Sequence, residues 1–251
     1  MLYKELEEQG SLLFRWRSYV PLIILPLAIY FELKSNSFGP PSEPSGNFWA
    51  FICLSISMFG IILRALTVGF VPRDTSGRNT GEQVAAFLNT TGIYSTVRHP
   101  LYLANFIVFA GYILRFGSLE FFVISALIYL VYYERIMMAE ERFLSGKFEK
   151  TYKVWAEKTP AFLPKISKWQ TPNLSFSMRT VLRREPPTIL LVGVVFFIIE
   201  FIEDTIIHKQ ELQHWVTADY FWSLLLVTFL ILYIVTLILK KTTNLLTVDG
   251  R

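Results

Sequence analysis

Three stretches of the chain gather polar residues whose types and spacing could do chemistry. Thr91 to Asn105 reads Thr-Gly-Ile-Tyr-Ser-Thr-Val-Arg-His-Pro-Leu-Tyr-Leu-Ala-Asn and runs into an apolar segment. Pro100 suits a first helical turn, where its missing N–H is no loss, so His99 falls at the cap. Unpaired N–H groups and the positive dipole end of such a helix favour an anion; Arg98 adds charge and Tyr102 an aromatic face. Tyr132 to Pro164 carries Glu134, Glu140 and Glu141, then Phe148, Tyr152 and Trp155. On a helix Glu134 and Glu141 fall about 20° apart on one face, with Glu140 adjoining. Glu134 borders an apolar run, so a cation or donor is expected opposite it. The third stretch, Pro72 to Glu82, holds Arg73 and Arg78, with Arg64 about two turns before it. An arginine at that depth costs at least ~2.5 kcal/mol unless it meets a cavity or a partner. Taken singly, each stretch also fits a blander role: a solvated loop, a capped helix with interfacial Arg and Tyr, a polar helix exit.

The elements that must position these residues are membrane helices. The chain has 251 residues, mean hydropathy +0.42, 53% hydrophobic and 16% aromatic residues, too apolar for a soluble domain of this size. Six segments qualify as spans: Tyr19–Leu33, Phe48–Val71, Leu101–Leu114, Leu119–Met138, Thr188–Ile202 and Tyr220–Leu239. The expected fold class is therefore all-α, a polytopic membrane helix bundle with about six transmembrane helices. Twenty of the 24 Lys and Arg residues fall on the side holding both termini, the Pro72–His99 loop and Arg135–Pro187. Lys34, Arg115 and Lys209 fall on the other. The positive-inside bias puts the termini and the polar stretches in the cytosol. Net charge +4 then reports orientation, and no folded basic domain points to nucleic acid.

The expected organisation is N-terminal transmembrane helices over 1–61, a core with the chemistry over 62–165, and a linker with a C-terminal helix pair over 166–251. The N-terminal apolar stretch lacks a small-residue cleavage site and reads as a retained helix. Cys53 is the one cysteine, so neither a disulfide framework nor a thiolate metal site can form. Glu200, Glu203, Asp204 and His208 have near-helical spacing, and an interfacial polar helix end is the expected reading over a metal site.

From Ile62 to Pro164 the chain resembles the superfamily of integral membrane methyltransferases that contains the isoprenylcysteine carboxyl methyltransferases and the phospholipid N-methyltransferases. The likeness lies in Gly92-x-Tyr94-x-x-x-Arg98-His99-Pro100-x-Tyr102, a hydrophobic hairpin, then Glu140-Glu141-x-x-Leu144-x-x-x-Phe148-x-x-x-Tyr152-x-x-Trp155 and Pro160 to Pro164. Ala104 and Glu149 stand where that pattern usually has glycine. The resemblance implies an S-adenosylmethionine pocket with roles for Arg98, His99, Pro100, Tyr102, Glu140 and Glu141. The residues can meet that cofactor's demands. Arg98 and the helix start suit its carboxylate, Glu140 or Glu141 its ammonium, and Tyr102, Phe148, Tyr152 or Trp155 its adenine and sulfonium.

The acceptor implied is a membrane lipid or lipidated substrate. Arg64, Arg73 and Arg78 favour a phosphate or carboxylate on it, and the loop Pro-Arg-Asp-Thr-Ser-Gly-Arg-Asn-Thr looks similar to loops of bacterial members, among them a lipid A phosphate methyltransferase. An anionic oxygen needs no general base; for an amine or thiol acceptor His99 or a glutamate such as Glu134 would serve. Alternatives are an isoprenylcysteine-type carboxyl or phospholipid amine methyltransferase, an NADPH-dependent sterol-type reductase, and a non-catalytic membrane protein.

Overall fold

A computed structural model describes residues 2–16, 24, 26–28, 30–31, 46–72, 75, 85–207, 209, 211 and 220–251. Seven helices follow in order among the described residues: α1 Leu2–Trp16, α2 Gly46–Gly69, α3 Pro100–Leu114, α4 Leu119–Ala156, α5 Met178–Arg184, α6 Pro186–Ile202 and α7 Tyr220–Thr242. Described residues form no strand, and one isolated bridge pairs Gly92 with Gln170.

By length and composition three helices can cross a membrane, α2 from Phe48, α4 and α7, which makes the chain an integral membrane protein. α3 has 15 residues and α6 has 17, about 22 and 26 Å of rise, short of a hydrocarbon core of roughly 30 Å. Five of the six expected spans thus appear as helices, and three have full spanning length. The first, Tyr19–Leu33, lies largely outside the described residues. α1 is a helix that the apolar pattern did not announce. It is amphipathic, packs along α4, and brings Gly10 so close that a Cβ there would lie 2.1 Å from the Arg135 carbonyl oxygen.

Two apolar cores flank the α2–α3 pair. Phe109 and Ile113 of α3 join Phe121, Tyr129, Tyr133 and Ile136 of α4 and Phe14 of α1 on one side. Ala50, Cys53 and Ile61 of α2 join Val108, Val192, Phe196 and Trp222 on the other. The cysteine is buried and free. α2 and α3 touch most closely at Gly111, where a Cβ would stand 2.1 Å from Ser57 Oγ.

α4, at 38 residues, is about 57 Å long, so its second half leaves the bilayer. It is broken at Glu149, whose φ of 44° and ψ of −117° are non-helical. An L-residue at positive φ is strained where glycine is not, which explains why a glycine is usual at this position in the pattern that the chain resembles.

Candidate active site

His99 caps α3, with Pro100 at the first helical position, and the stretch 92–99 lies against the cytosol-predicted half of α4 and the chain after it. Gly92 opens the stretch with φ +60°. Trp155 Nε1 donates to the Tyr94 carbonyl at 3.1 Å, and the Arg98 and His99 N–H groups donate to Pro160 and Ala161 at 2.8 and 3.2 Å.

This framework brings Arg98, His99, Glu140 and Glu141 together. Arg98 Nε donates to Glu141 Oε1 at 2.8 Å, and Nη1 donates to the Ala156 and Thr159 carbonyls at 2.8 and 3.1 Å. His99 Nε2 lies 3.0 Å from the same Glu141 oxygen, and Nδ1 lies 3.6 Å from Glu140 Oε2. Burial by itself would lower the imidazole pKa, but the hydrogen bonds and charge of Glu140 and Glu141 outweigh it and raise it above 6.5. The imidazole is buried while the two carboxylates stay about one-third exposed, at 33% and 27%, so the cluster is open on the acidic side. Tyr102 stacks on His99 at 5.6 Å and continues through Tyr133 to Tyr129, whose hydroxyl donates to the Tyr102 carbonyl at 2.9 Å. Tyr152 is buried on α4, and Pro100 is buried at the helix start.

Other expected site residues lie elsewhere. Glu134 is 60% exposed, with Arg135 beside it at 3.7 Å. It shares a helix face with Glu141, but seven residues set the two about 10 Å apart along the axis, so Glu134 does not reach His99. Arg64 is almost enclosed. Nε and Nη2 donate to the two oxygens of Glu185 at 2.7 and 3.1 Å, and Nη1 donates to Asn105 Oδ1. Its fork is thus used inside the protein, joining α2 to α3 and to the cap of α6. Arg73 and Arg78 lie outside the described residues.

Sequence reading missed Glu185. The available signal was a lone acid ahead of Pro186-Pro187 at the mouth of an apolar helix, which needs a cationic partner as much as Arg64 did. It also misjudged Arg115, Glu200 and Glu203, expected as outer-loop charge and an interfacial polar end. Arg115 Nε and Nη2 donate to the Glu200 carboxylate at 2.7 and 3.2 Å, and Nη2 also to Glu203, all three side chains being buried. Pairing lets them leave water, which the polar pattern alone did not reveal. Asp204 follows in a π turn, and His208 lies outside the described residues. Among the described residues no three His, Cys, Asp or Glu side chains group as a metal-ligand set.

Residues 49–151 match the phospholipid methyltransferase family, in agreement with the superfamily that the motifs resemble. The chain is also similar to the cobalt-zinc-cadmium resistance protein CzcN of Cupriavidus metallidurans, 30% identical over 144 residues, 57% of this chain and 63% of the relative. The nickel-cobalt-cadmium resistance protein NccN of Alcaligenes xylosoxydans xylosoxydans is 31% identical over 118 residues, 47% of this chain and 53% of the relative. The chain thus spans less than two thirds of the length of either. No solved structure matches it.

Proposed function

We propose that this protein transfers a methyl group from S-adenosylmethionine to a membrane-embedded, lipid-like acceptor, with a lipid phosphate such as that of lipid A as the leading candidate. The observation that carries the reading is the Arg98–His99–Glu140–Glu141 cluster at the start of α3, inside the family match. Its donors fit the cofactor. Partly exposed carboxylates suit an ammonium, the opening turn of α3 suits a carboxylate, and Tyr102 presents an aromatic face. When bound, S-adenosylmethionine would supply an electrophilic methyl carbon on a positively charged sulfur.

In this reading Glu140 and Glu141 hold the amino-acid end of the cofactor, with Pro100 and Tyr152 shaping the pocket. Arg98 acts as a positioning residue: its bonds to Glu141 and to two carbonyls set the carboxylate's place, rather than gripping the ligand as the resemblance implied. His99 lies between two glutamates that raise its pKa; protonated, it would offset their repulsion, and neutral, it could serve as a base for an amine or thiol acceptor. Arg73 and Arg78 meet the acceptor headgroup and aim its nucleophilic oxygen, while Arg64 ties α2 to Glu185 and Asn105. The site end of the bundle faces the cytosol.

The relatives' names concern resistance to divalent metals. Methyl esterification of a lipid phosphate removes an anionic oxygen that could bind such cations, as esterification of a carboxylate would, which favours an anionic-oxygen acceptor over an amine.

The test is methyl-labelled S-adenosylmethionine added to membranes holding the full chain, followed by lipid extraction. Label should appear in a phosphate-bearing lipid. Arg78→Lys should lower transfer about ten- to a hundredfold, the worth of one charge-assisted contact of roughly 1.5–3 kcal/mol, with S-adenosylhomocysteine binding little changed. Label confined to protein or to amine headgroups would reject the phosphate acceptor, and loss of cofactor binding in step with activity would move Arg78 into the cofactor site.

A further inference from the structure

The chain from Thr159 to Gln170 forms a strap across the candidate site and is tied to it by backbone bonds. Besides the Arg98 and His99 bonds to Pro160 and Ala161, Lys165 N–H donates to the Thr96 carbonyl at 2.9 Å and Gly92 N–H to the Gln170 carbonyl at 2.9 Å. Phe162 turns inward, and its ring meets that of Phe106 edge-on at 5.9 Å. Phe106 lies six residues beyond Pro100, about 9 Å along α3, so the strap runs at the depth of the first two turns of an apolar helix.

The side chains that follow point away from the protein. Leu163 is 75% exposed, Ile166 77% and Trp169 51%. All three lie within four residues of a single 3₁₀ turn, Ile166–Lys168, that compacts this exposed stretch. Lys165 and Lys168, also exposed, stand between them. Three large apolar groups held out beside two ammonium groups form a poor surface for water. They match the boundary of an anionic leaflet, where apolar groups sink among acyl chains and lysines meet headgroup phosphates.

We propose that Leu163–Gln170 is an in-plane membrane anchor that seats on an anionic phospholipid surface at the site end of the bundle. Through its backbone bonds the seated strap keeps Arg98 and His99 in register with Glu140 and Glu141. Neither statement depends on methyl transfer.

The test uses the full chain with Cys53→Ala, an environment-sensitive fluorophore on Ile166→Cys, and a control label on Lys147→Cys, an exposed position in the projecting half of α4. The protein is placed in nanodiscs of phosphatidylcholine, with and without phosphatidylglycerol. The label at 166 should shift to the blue and be quenched severalfold by nitroxide-bearing lipid, more with phosphatidylglycerol, while the label at 147 is not. Lys165→Gln with Lys168→Gln should abolish the lipid difference. In Ile166→Glu with Trp169→Glu, hydrogen exchange at the Arg98 and His99 amides should quicken severalfold. A label at 166 that stays water-exposed and unquenched in both discs overturns the anchor. Equal quenching in both discs overturns the anionic surface, a blue shift in detergent that follows protein concentration assigns the strap to a second copy, and unchanged exchange removes its hold on the site.

Discussion

Two clusters at opposite ends of α3 use the same residue types and have opposite characters. At the first turn Arg98 and His99 face Glu140 and Glu141 with the carboxylates partly exposed; at the last, Arg115 faces Glu200 and Glu203 with every side chain almost dry. The first can exchange a partner for a ligand, because its acids already touch water and replacing water by a ligand ammonium adds little desolvation. The second cannot, since every charge there depends on the others for its place in a low-dielectric interior. The Arg64–Glu185 pair is a second sealed link, so α6 is tied to the α2–α3 pair near both ends. Composition alone does not separate an open cluster from a sealed strut. Exposure of the acids does.

The largest expected difference lies in stability. Arg115→Met would leave two buried carboxylates without their cation and should cost about 3–5 kcal/mol, seen as a lower thermal midpoint in detergent. Adding Glu200→Gln and Glu203→Gln should recover much of the loss. An unchanged midpoint for the single variant would make the Arg115 cluster a solvated one.

Glu141→Gln should do the converse. It removes the charge shared by Arg98 and His99 at a partly exposed position, so the midpoint should move little while S-adenosylhomocysteine binding weakens about tenfold or more, the loss of one charge-assisted contact. Equal damage to folding and binding would erase the contrast between the two clusters.

The smallest effect concerns pH. Since the folded pKa of His99 is raised above 6.5 by its two glutamates, its stabilising contribution is fully present below pH 6.5 and is lost as pH climbs through the folded value. Unfolding midpoints measured upward from pH 6.5 should fall, and His99→Gln should flatten that part of the profile. A slope that survives the substitution belongs to another group.

Much of this architecture is legible along the chain because hydropathy and charge are local properties. The apolar runs at Phe48, Leu101, Leu119, Thr188 and Tyr220 all become helices, and Pro100 starts α3, where its locked φ fits the first turn. The amphipathic α1 escaped because its apolar residues are too sparse for a span, and its apolar stripe finds its partner in α4. Glu149 shows a middle case. The departure from a usual glycine could be read from the resemblance, but the positive φ that makes it matter is a property of the folded backbone.

By itself, then, the sequence determined an all-α membrane protein and singled out Arg98, His99, Glu140 and Glu141, which the fold brings together. Which carboxylate meets which cation was decided only by the tertiary structure. Arg64 finds Glu185 across 121 residues and Arg115 finds Glu200 across 85, and nothing in local periodicity records such a pairing. Helical spacing says which residues share a face, but the neighbour that face meets, and whether water reaches between them, depends on how separate helices pack.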